Sequence, residues 1–193
     1  MKTAAIIVAA GRGTRAGGPL SKQWQILGGR PVAAHAMARF AAHPSITQLV
    51  LVLHPADVDT ALWPRDPAAQ IVIGGETRAA SVRAGLEALD ADIDQVLIHD
   101  AARPLVSSAL LDRVLEALQT HQGAAPAVTV TDTLWHGDGD QVTGVQDRTG
   151  LYRAQTPQGF HLAPLLAALA ISTGTETDDV AVARAAGLDV AIV

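Results

Sequence analysis

A glycine-rich run with three cations is the part of this chain best suited to chemistry. The run Ala9-Ala10-Gly11-Arg12-Gly13-Thr14-Arg15 follows an apolar stretch and is closed seven residues later by Lys22. Glycines let backbone N–H groups approach an anion closely, and the cationic side chains would add fixed positive charge around it. We call residues 9–22 the glycine loop, and its composition predicts a binding site for a polyphosphate.

The charge distribution supports an anion site at this end of the chain. Six lysine and arginine residues and no acidic residue precede Asp57, so the first 56 residues carry +6 and the remainder −11. Such an asymmetry raises the local concentration of an anionic ligand at one end of a protein whose net charge of −5 would otherwise repel it. Lys22 is one of only two lysines beside twelve arginines, which singles it out as a candidate for a specific role.

Spacing excludes two familiar phosphate-binding patterns. The dinucleotide fingerprint requires Gly-x-Gly-x-x-Gly and an acidic residue about 20 positions further on, whereas Gly17 falls one residue late and nothing acidic precedes Asp57. The P-loop requires four residues between its glycines and then Gly-Lys-Ser/Thr, a run that this chain lacks. The glycine loop therefore favours neither NAD nor a Walker-type site.

Composition excludes further classes of protein. The 193 residues, 49% apolar and 17% charged, predict a single domain. No apolar run approaches the ~20 residues of a membrane span, and the first apolar stretch is too short for a secretory signal, so we expect a cytoplasmic protein without a membrane partner. A chain without cysteine has no disulfide and no thiolate nucleophile. Net negative charge and 3% aromatic content argue against nucleic-acid binding.

Alternation of two kinds of segment predicts an α/β fold with a doubly wound, mostly parallel sheet. Short apolar runs are typical of buried parallel strands, and they alternate with longer segments of helical spacing. The predicted strands span residues 4–10, 49–53, 71–73, 96–98, 127–130 and 188–193, and the predicted helices span 31–43, 77–89 and 107–119. Ligands bind such sheets at the carboxyl ends of the strands. The glycine loop, the Gly74-Gly75 turn and the His99-Asp100 segment should therefore share one edge.

Residues 131–152 do not follow this alternation of strand and helix segments. The turn-forming residues 137–140 separate two polar, β-compatible arms that offer little apolar face to a core. We predict one domain, residues 1–193, with a protruding hairpin at 131–152. Because a two-stranded arm is only marginally stable alone, packing against a second copy of the chain is expected, which implies a homodimer.

The chain resembles the 2-C-methyl-D-erythritol 4-phosphate cytidylyltransferase family over almost its entire length. Beside the glycine loop and Leu20-Ser21-Lys22-Gln23, five motifs occur in the family's order: Gly74-Gly75-Glu76-Thr77-Arg78-Ala79-Ala80-Ser81-Val82, His99-Asp100-Ala101-Ala102-Arg103-Pro104, Asp132-Thr133, Asp147-Arg148 and Gln155-Thr156-Pro157-Gln158-Gly159-Phe160. The resemblance implies a Rossmann-like sheet of the nucleotide-diphospho-sugar transferase type. It also implies transfer of a cytidylyl group from CTP to methylerythritol 4-phosphate in the non-mevalonate isoprenoid pathway, with release of pyrophosphate.

The resemblance also implies roles for individual residues. Arg15 and Lys22 would stabilise the charge that builds up on the transferred phosphorus and on pyrophosphate. Asp100 would help to hold Mg²⁺, since a hard cation prefers carboxylate and phosphate oxygens. The nucleotide would be held by Ala10, Gly11, Gly13, Gly75, Glu76, Ser81, Asp100 and Arg103. The acceptor would be held by Thr133 and Arg148 of the partner subunit's arm, and by Thr156 and Thr177 of the chain that binds CTP.

Each assignment has a structural alternative. Gly11 and Gly13 also suit a tight strand-to-helix turn, and Arg15 and Lys22 also suit solvated surface positions. Asp100 also suits the cap of the following helix. The other polar site residues also suit turns, helix caps or a solvated hairpin.

The sequence departs from the family in several places. Ser21 replaces a proline, Trp135 replaces a lysine, and Ala80 replaces an acidic residue. The family continues beyond the position of Val193 with an Asn-x-Lys-x-Thr segment that supplies another substrate-binding lysine, and the sequence does not contain it. We expect either a fragment of a longer protein, such as one fused to a second enzyme of the same route, or a naturally short form.

Two alternative functions stay open at this point. A cytidylyltransferase for another polyol phosphate, such as ribitol 5-phosphate, would share the CTP half of the site. A catalytically silent nucleotide-binding module would keep the glycine loop but lack turnover. Assays with both acceptors, and calorimetry with CTP, distinguish these functions.

Overall fold

The computed structural model describes residues 1–12, 20–60, 62–65, 67–173 and 176–193. Its strands are β1 (Thr3–Ala9), β2 (Ile26–Leu27), β3 (Arg30–Pro31), β4 (Ile46–Leu53), β5 (Gln70–Ile73), β6 (Gln95–Asp100), β7 (Gly123–Ala125), β8 (Ala127–Thr129), β9 (Leu134–Asp138), β10 (Gln141–Gln146), β11 (Tyr152–Ala154), β12 (Gln158–His161) and β13 (Val190–Ile192). Its α-helices are α1 (Val32–Ala41), α2 (Arg78–Glu87), α3 (Ser108–Ala117), α4 (Leu162–Ile171) and α5 (Asp179–Ala185).

A seven-stranded sheet in the order β13-β7-β12-β6-β1-β4-β5 forms the centre of the fold. All neighbours run parallel except β12, which is antiparallel to both β6 and β7. The interior strand β1 lies between β6 and β4 and is almost completely buried, as its continuous apolar sequence predicts for a strand covered on both faces. The predicted mostly parallel α/β fold is confirmed.

Helices cover both faces of the sheet. Successive side chains of a strand point to opposite faces, so Ala5 and Ile7 of β1 pack with α1 and α3, whereas Ile6 packs with α2, α4 and α5. Two apolar layers result, one on each side of the sheet. This layering holds the strand ends, and the loops that follow them, in fixed relative positions.

The three predicted helices are confirmed, with slightly shorter bounds than predicted. Helix α2 begins after Thr77, whose hydroxyl oxygen accepts a hydrogen bond from the Ala80 N–H over 3.0 Å. Helix α3 begins after Ser107, which caps the Leu110 N–H over 3.2 Å. Such caps satisfy backbone donors that the first turn of a helix leaves unpaired. Among the residues that the structure describes, no helix combines the length and apolarity needed to cross a lipid bilayer.

The prediction that residues 127–130 form a strand of the buried sheet is wrong. Strand β8 pairs antiparallel with β11 in a separate two-stranded ribbon, and the place in the central sheet belongs to β7. Pro126 lies between β7 and β8, and a proline has no N–H to donate to a sheet. The strand β7 was missed because glycine and alanine carry little strand propensity.

The predicted hairpin is present. Strands β9 and β10 pair antiparallel from Leu134 opposite Gln146 to Asp138 opposite Gln141. The turn is narrower than predicted, because Gly137 and Asp138 belong to β9 and only residues 139–140 connect the strands. Gly139 adopts a φ of +58°, a conformation that favours glycine. The hairpin's large apolar side chains are exposed: Trp135, Val142 and Val145.

Candidate active site

A cleft of about 520 Å³ opens at the carboxyl ends of β1, β4, β5 and β6. Residues 8–12, 22–23, 54, 75–78, 81 and 100–102 line it. The glycine loop, the Gly74-Gly75 turn and the His99-Asp100 segment therefore meet at one edge of the sheet, as predicted. A site at the carboxyl edge of an open parallel sheet is the usual place for a ligand in this architecture.

The predicted site residues that the structure describes fall into three groups. Seven of them line the cleft: Ala10, Gly11, Lys22, Gly75, Glu76, Ser81 and Asp100. Three others lie in contact with the residues that line it or beside them: Arg103, Thr156 and Thr177. Thr133 and Arg148 are exposed on the hairpin arm and do not line the cleft of their own chain. Gly13 and Arg15 lie outside the described residues.

Gln23 joins the two ends of the glycine loop. Its side-chain amide donates to the carbonyls of Ala9 and Gly11, each over 2.8 Å. Gln23 is buried within a short 3₁₀ helix, Lys22–Trp24, and the neighbouring Lys22 lines the cleft. Gln23 belongs to the motif Leu20-Ser21-Lys22-Gln23, but its supporting role could not be predicted, because a buried glutamine has no distinct sequence signal.

Two glycines allow the loop after β5 to pack closely against the residue that follows β1 and against the first turn of α2. A Cβ on Gly74 would lie 2.6 Å from the Cβ of Ala10 and 2.7 Å from the hydroxyl oxygen of Ser81. A Cβ on Gly75 would lie 2.5 Å from the Cβ of Ala80. All three distances are far shorter than van der Waals contact, so these two positions require glycine for lack of space.

Ser81 holds the same loop from helix α2. Its hydroxyl donates to the carbonyl of Thr77 over 2.9 Å and lies 3.3 Å from the carbonyl of Gly75. The hydroxyl proton is therefore used within the loop, and only the oxygen lone pairs can accept a hydrogen bond from a ligand.

We expect Gly74→Ala to disrupt the cleft. The added methyl group must displace Ala10 or Ser81, and overpacking of this kind typically destabilises a protein by about 1–3 kcal/mol. The thermal unfolding temperature and the calorimetric affinity for CTP should both fall. Gly144→Ala is the matched control, because its Cβ would come no closer than 3.6 Å to the side chain of His136. An unchanged CTP affinity in Gly74→Ala would contradict this account.

Asp100 presents a carboxylate to the cleft between two arginines. Arg103 Nε donates to Oδ2 over 3.2 Å, and Arg78 Nε lies 3.6 Å from Oδ1. Arg103 also donates to the side chain of Gln155, so it braces the segment. Because the following helix α3 is capped by Ser107, Asp100 is not a helix cap.

Asp100 is a single carboxylate rather than part of a cluster of metal ligands. Within the described ranges, no group of three or more histidine, aspartate or glutamate side chains is placed to hold a metal ion. Mg²⁺ is commonly bound through one or two carboxylates together with substrate phosphates. The donor set at Asp100 fits a cation of that kind, bound together with a polyphosphate.

An ion pair between the half-buried Arg78 and the buried Asp179 joins the start of helix α2 to the start of helix α5. Arg78 Nη1 lies 2.8 Å from Asp179 Oδ2, although the geometry is not that of an aligned hydrogen bond and the described residues offer this oxygen no other donor. Burial acts to lower the pKa of Arg78, but the charges of Asp179 and Asp100 outweigh it and raise that pKa. Burial raises the pKa of Asp179 against the attraction of Arg78.

This ion pair connects the two halves of the predicted site. Arg78 follows Gly75 and Glu76, while Asp179 follows Thr177 by two residues. Arg78 belongs to the motif of residues 74–82, but neither its role nor Asp179 was predicted from the sequence. Their pairing cannot be inferred from spacing along the chain.

His99 supports the Asp100 segment from inside the protein. Its Nε2 donates to the carbonyl of Arg103 over 2.9 Å, and its Nδ1 accepts from the hydroxyl of Thr156 over 2.9 Å. The same hydroxyl oxygen lies 3.4 Å from the N–H of Asp100. Thr156 is buried and its proton is used in this network, so its part in binding the acceptor stays a prediction.

The pH dependence of stability should report the state of His99. Burial lowers the pKa of His99 to about 4, whereas an unfolded histidine titrates near 6.5. Between these values the unfolded chain binds the extra proton, so stability rises with pH. We expect the free energy of unfolding to be about 2 kcal/mol lower at about pH 5 than at about pH 7.

Urea unfolding at the two pH values measures this effect. His99→Gln should remove most of the difference, whereas His136→Gln, on the exposed arm, should retain it. An equal pH dependence in wild type and His99→Gln would show that other groups are responsible.

Comparison with known proteins identifies the family. The sequence model of the 2-C-methyl-D-erythritol 4-phosphate cytidylyltransferase family, IspD, matches residues 3–193. A protein of that name from Roseobacter denitrificans is 56% identical over 193 residues, covering all of this chain and 87% of the relative. A bifunctional enzyme IspD/IspF from Rhodobacter capsulatus is 53% identical over 194 residues, covering all of this chain and 50% of the relative.

A solved structure agrees with the sequence comparisons. The crystal structure of 2-C-methyl-D-erythritol 4-phosphate cytidylyltransferase from Thermus thermophilus superposes with a TM-score of 0.84 at 36% identity, covering all of this chain and 88% of that one. The family match, the relatives and the shared fold all cover the sheet and the cleft described above. The chain belongs to the 2-C-methyl-D-erythritol 4-phosphate cytidylyltransferase family.

Proposed function

We infer that this chain transfers the cytidylyl group of CTP to 2-C-methyl-D-erythritol 4-phosphate, giving CDP-methylerythritol and pyrophosphate. The observation that carries this conclusion is the meeting of the glycine loop, the Gly74-Gly75 turn and Asp100 in one cleft. Membership of the cytidylyltransferase family identifies the reaction to which this arrangement belongs.

The reaction requires charge neutralisation more than covalent chemistry. An oxygen of the acceptor phosphate attacks the α-phosphorus of CTP, a new P–O bond forms, and the bond to the β-phosphate breaks to release pyrophosphate. The acceptor phosphate is already ionised, so neither a general base nor a covalent enzyme intermediate is needed. In this proposal Lys22 and Arg15 stabilise the charge that develops on the phosphates, which is the main contribution a protein can make to such a step.

We propose that the loop after β5 selects the base. Gly75 and Glu76 would contact cytosine through backbone groups, and Ser81 would accept a hydrogen bond with its oxygen. Ala10, Gly11 and Gly13 would hold the triphosphate through close backbone approach. Hydrogen-bond donors and acceptors at fixed places discriminate strongly between bases, because the wrong base leaves buried polar groups unpaired.

Mg²⁺ is the cofactor we propose, with Asp100 as its protein ligand. When bound, the cation would supply Lewis-acid stabilisation of negative charge on the phosphates. Arg103 would keep the Asp100 side chain in place through the hydrogen bond of 3.2 Å. Arg78, on the other side of that carboxylate, would limit its movement in the same way.

The acceptor half of the site is proposed to need two subunits. Thr156 and Thr177 would contribute from the chain that binds CTP, and Thr133 and Arg148 of the partner subunit's arm would complete it. A homodimer formed through the arm is supported by its exposed apolar side chains, since Trp135 is 66% and Val145 is 67% exposed. A cytoplasmic location is also our proposal, in keeping with a chain without cysteine and with a small phosphorylated acceptor.

Pyrophosphate release from CTP, Mg²⁺ and methylerythritol 4-phosphate tests the function. Ribitol 5-phosphate as acceptor, and UTP or ATP as donor, serve as comparisons. We expect turnover only with CTP and methylerythritol 4-phosphate. If ribitol 5-phosphate were the acceptor that gives turnover and methylerythritol 4-phosphate gave none, ribitol 5-phosphate would be assigned as the substrate. CTP binding without turnover in any mixture would favour a silent nucleotide-binding module.

A further inference from the structure

Asp57 is a nearly buried carboxylate that contacts the glycine loop. It ends a short 3₁₀ helix, Pro55–Asp57, that follows β4, and its side chain is 6% exposed. Its N–H donates to the carbonyl of His54 over 2.9 Å, and its carbonyl accepts from the Thr60 hydroxyl over 2.7 Å. The carboxylate is therefore presented from a well-supported backbone.

The two oxygens of Asp57 bind one residue within the glycine loop and one residue just beyond it. Arg12 Nη1 donates to Oδ1 over 3.1 Å, and Trp24 Nε1 donates to Oδ2 over 2.9 Å. Arg12 is the last described residue before 13–19, and Trp24 ends the 3₁₀ helix that begins with Lys22. One carboxylate therefore joins Arg12, in the first part of the glycine loop, to Trp24, two residues beyond Lys22.

We infer that Asp57 is a positioning residue, which sets the place of Lys22 at the cleft by holding Arg12 and Trp24. This inference rests on the proposed cytidylyl transfer, in which Lys22 neutralises phosphate charge. Asp57 does not line the cleft, so it acts through its two partners rather than on the substrate. A displacement of about 1 Å in a catalytic group can reduce a rate by roughly 100-fold, so such a support controls turnover.

An aspartate suits this role better than a neutral side chain. Arg12 is 49% exposed and lines the cleft, so an anion beside it is needed to hold its guanidinium in one orientation. A carboxylate accepts hydrogen bonds at both oxygens, whereas an asparagine amide has one acceptor and an NH₂ group that would face one of the two donors. Asp57→Asn therefore breaks one contact while nearly preserving side-chain volume.

Steady-state kinetics of Asp57→Asn test the inference. We expect kcat/KM for CTP to fall by at least about 10-fold, with KM for the acceptor unchanged, because the disturbed residues lie at the glycine loop. Asp112→Asn is the matched control. Asp112 pairs with His43 over 3.0 Å and does not line the cleft, so this variant should keep the wild-type constants.

The activity of the wild-type protein distinguishes a failure of the proposed cytidylyl transfer from a failure of the role inferred for Asp57. An inactive wild type, with the acceptors and nucleotides named above, refutes the proposed transfer. An active wild type together with a fully active Asp57→Asn variant refutes the role of Asp57 alone. A loss that appears only as a smaller folded fraction, with KM for CTP and kcat per folded molecule unchanged, would also overturn the inference.

Trp24→Phe provides a second variant that keeps the buried ring and removes only the indole N–H. We expect a smaller loss in the same constant, kcat/KM for CTP. In a Lys22→Ala background neither Asp57→Asn nor Trp24→Phe should lower kcat/KM for CTP much further, because the group that they position is gone and the effects are not additive. Equal fold losses with and without Lys22 would contradict a positioning role.

Discussion

Replacing Lys22 by alanine should lower kcat for cytidylyl transfer by roughly 10²–10³-fold, the usual effect of removing one group that stabilises transition-state charge. Lys22 lines the cleft at the start of a 3₁₀ helix. Its side chain is exposed, so its removal should leave the fold intact. Pyrophosphate release measures the activity, and circular dichroism with thermal unfolding measures the fold.

The other lysine of the chain supplies the matched control for Lys22. Lys2 immediately precedes β1, at the edge of the sheet opposite the cleft, and pairs with Asp92 in an exposed ion pair. The Asp92 carboxylate, through its hydrogen bond and its charge, raises the pKa of Lys2. Exposed ion pairs contribute little to stability, so Lys2→Ala should be as active as wild type. A fully active Lys22→Ala variant would refute the role proposed for Lys22.

Asp100→Asn should have the second large effect. The change keeps the shape of the side chain but removes its charge, so Arg78 and Arg103 would face each other without the anion between them. Lewis-acid stabilisation by a bound cation contributes several kcal/mol, and about 1.4 kcal/mol corresponds to a tenfold change in rate. We therefore expect kcat to fall by about 10²-fold at saturating Mg²⁺.

A titration of activity with Mg²⁺ distinguishes a metal ligand from a structural carboxylate. Asp100→Asn should need a higher Mg²⁺ concentration for half-maximal activity. The control Asp189→Asn, an exposed carboxylate 3.7 Å from His121, should respond to Mg²⁺ as wild type does. An unchanged Mg²⁺ requirement in Asp100→Asn would exclude Asp100 as a metal ligand.

Much of the fold could be predicted because local and long-range preferences agree there. The strands β1, β4 and β6 carry continuous apolar runs, and helices α2 and α3 follow capping residues with apolar positions at helical spacing. Helix α4 was missed for a physical reason. Its sequence is apolar on all sides, so hydrophobic periodicity marks no buried face. Strand β12 was missed because it contains buried polar residues such as Gln158 and therefore lacks the continuous apolar run that predicts a buried strand.

The motifs of the site could be predicted from the sequence, but the residues that hold those motifs in place could not. Gly75, Ser81 and Asp100 stand in recognisable sequence surroundings, and the topology of a parallel sheet brings strand ends together. The residues that hold them are remote in sequence: Trp24 and Asp57 are 33 residues apart, and His99 and Thr156 are 57 residues apart. Such contacts depend on the packed structure, and no local pattern marks them in advance.

The interior position of β1 in the sheet has a consequence for synthesis of the protein in the cell. Ile6 pairs with Val50 on one side and with Ile98 on the other, so neither neighbour exists when β1 is made. A ribosome that adds about 5–20 residues per second needs roughly 5–20 s to reach the second partner. During that interval an apolar strand is available to chaperones and to other nascent chains. Substitutions that delay the pairing of β4 or β6 would therefore lower the yield of folded protein even where the purified protein is fully active.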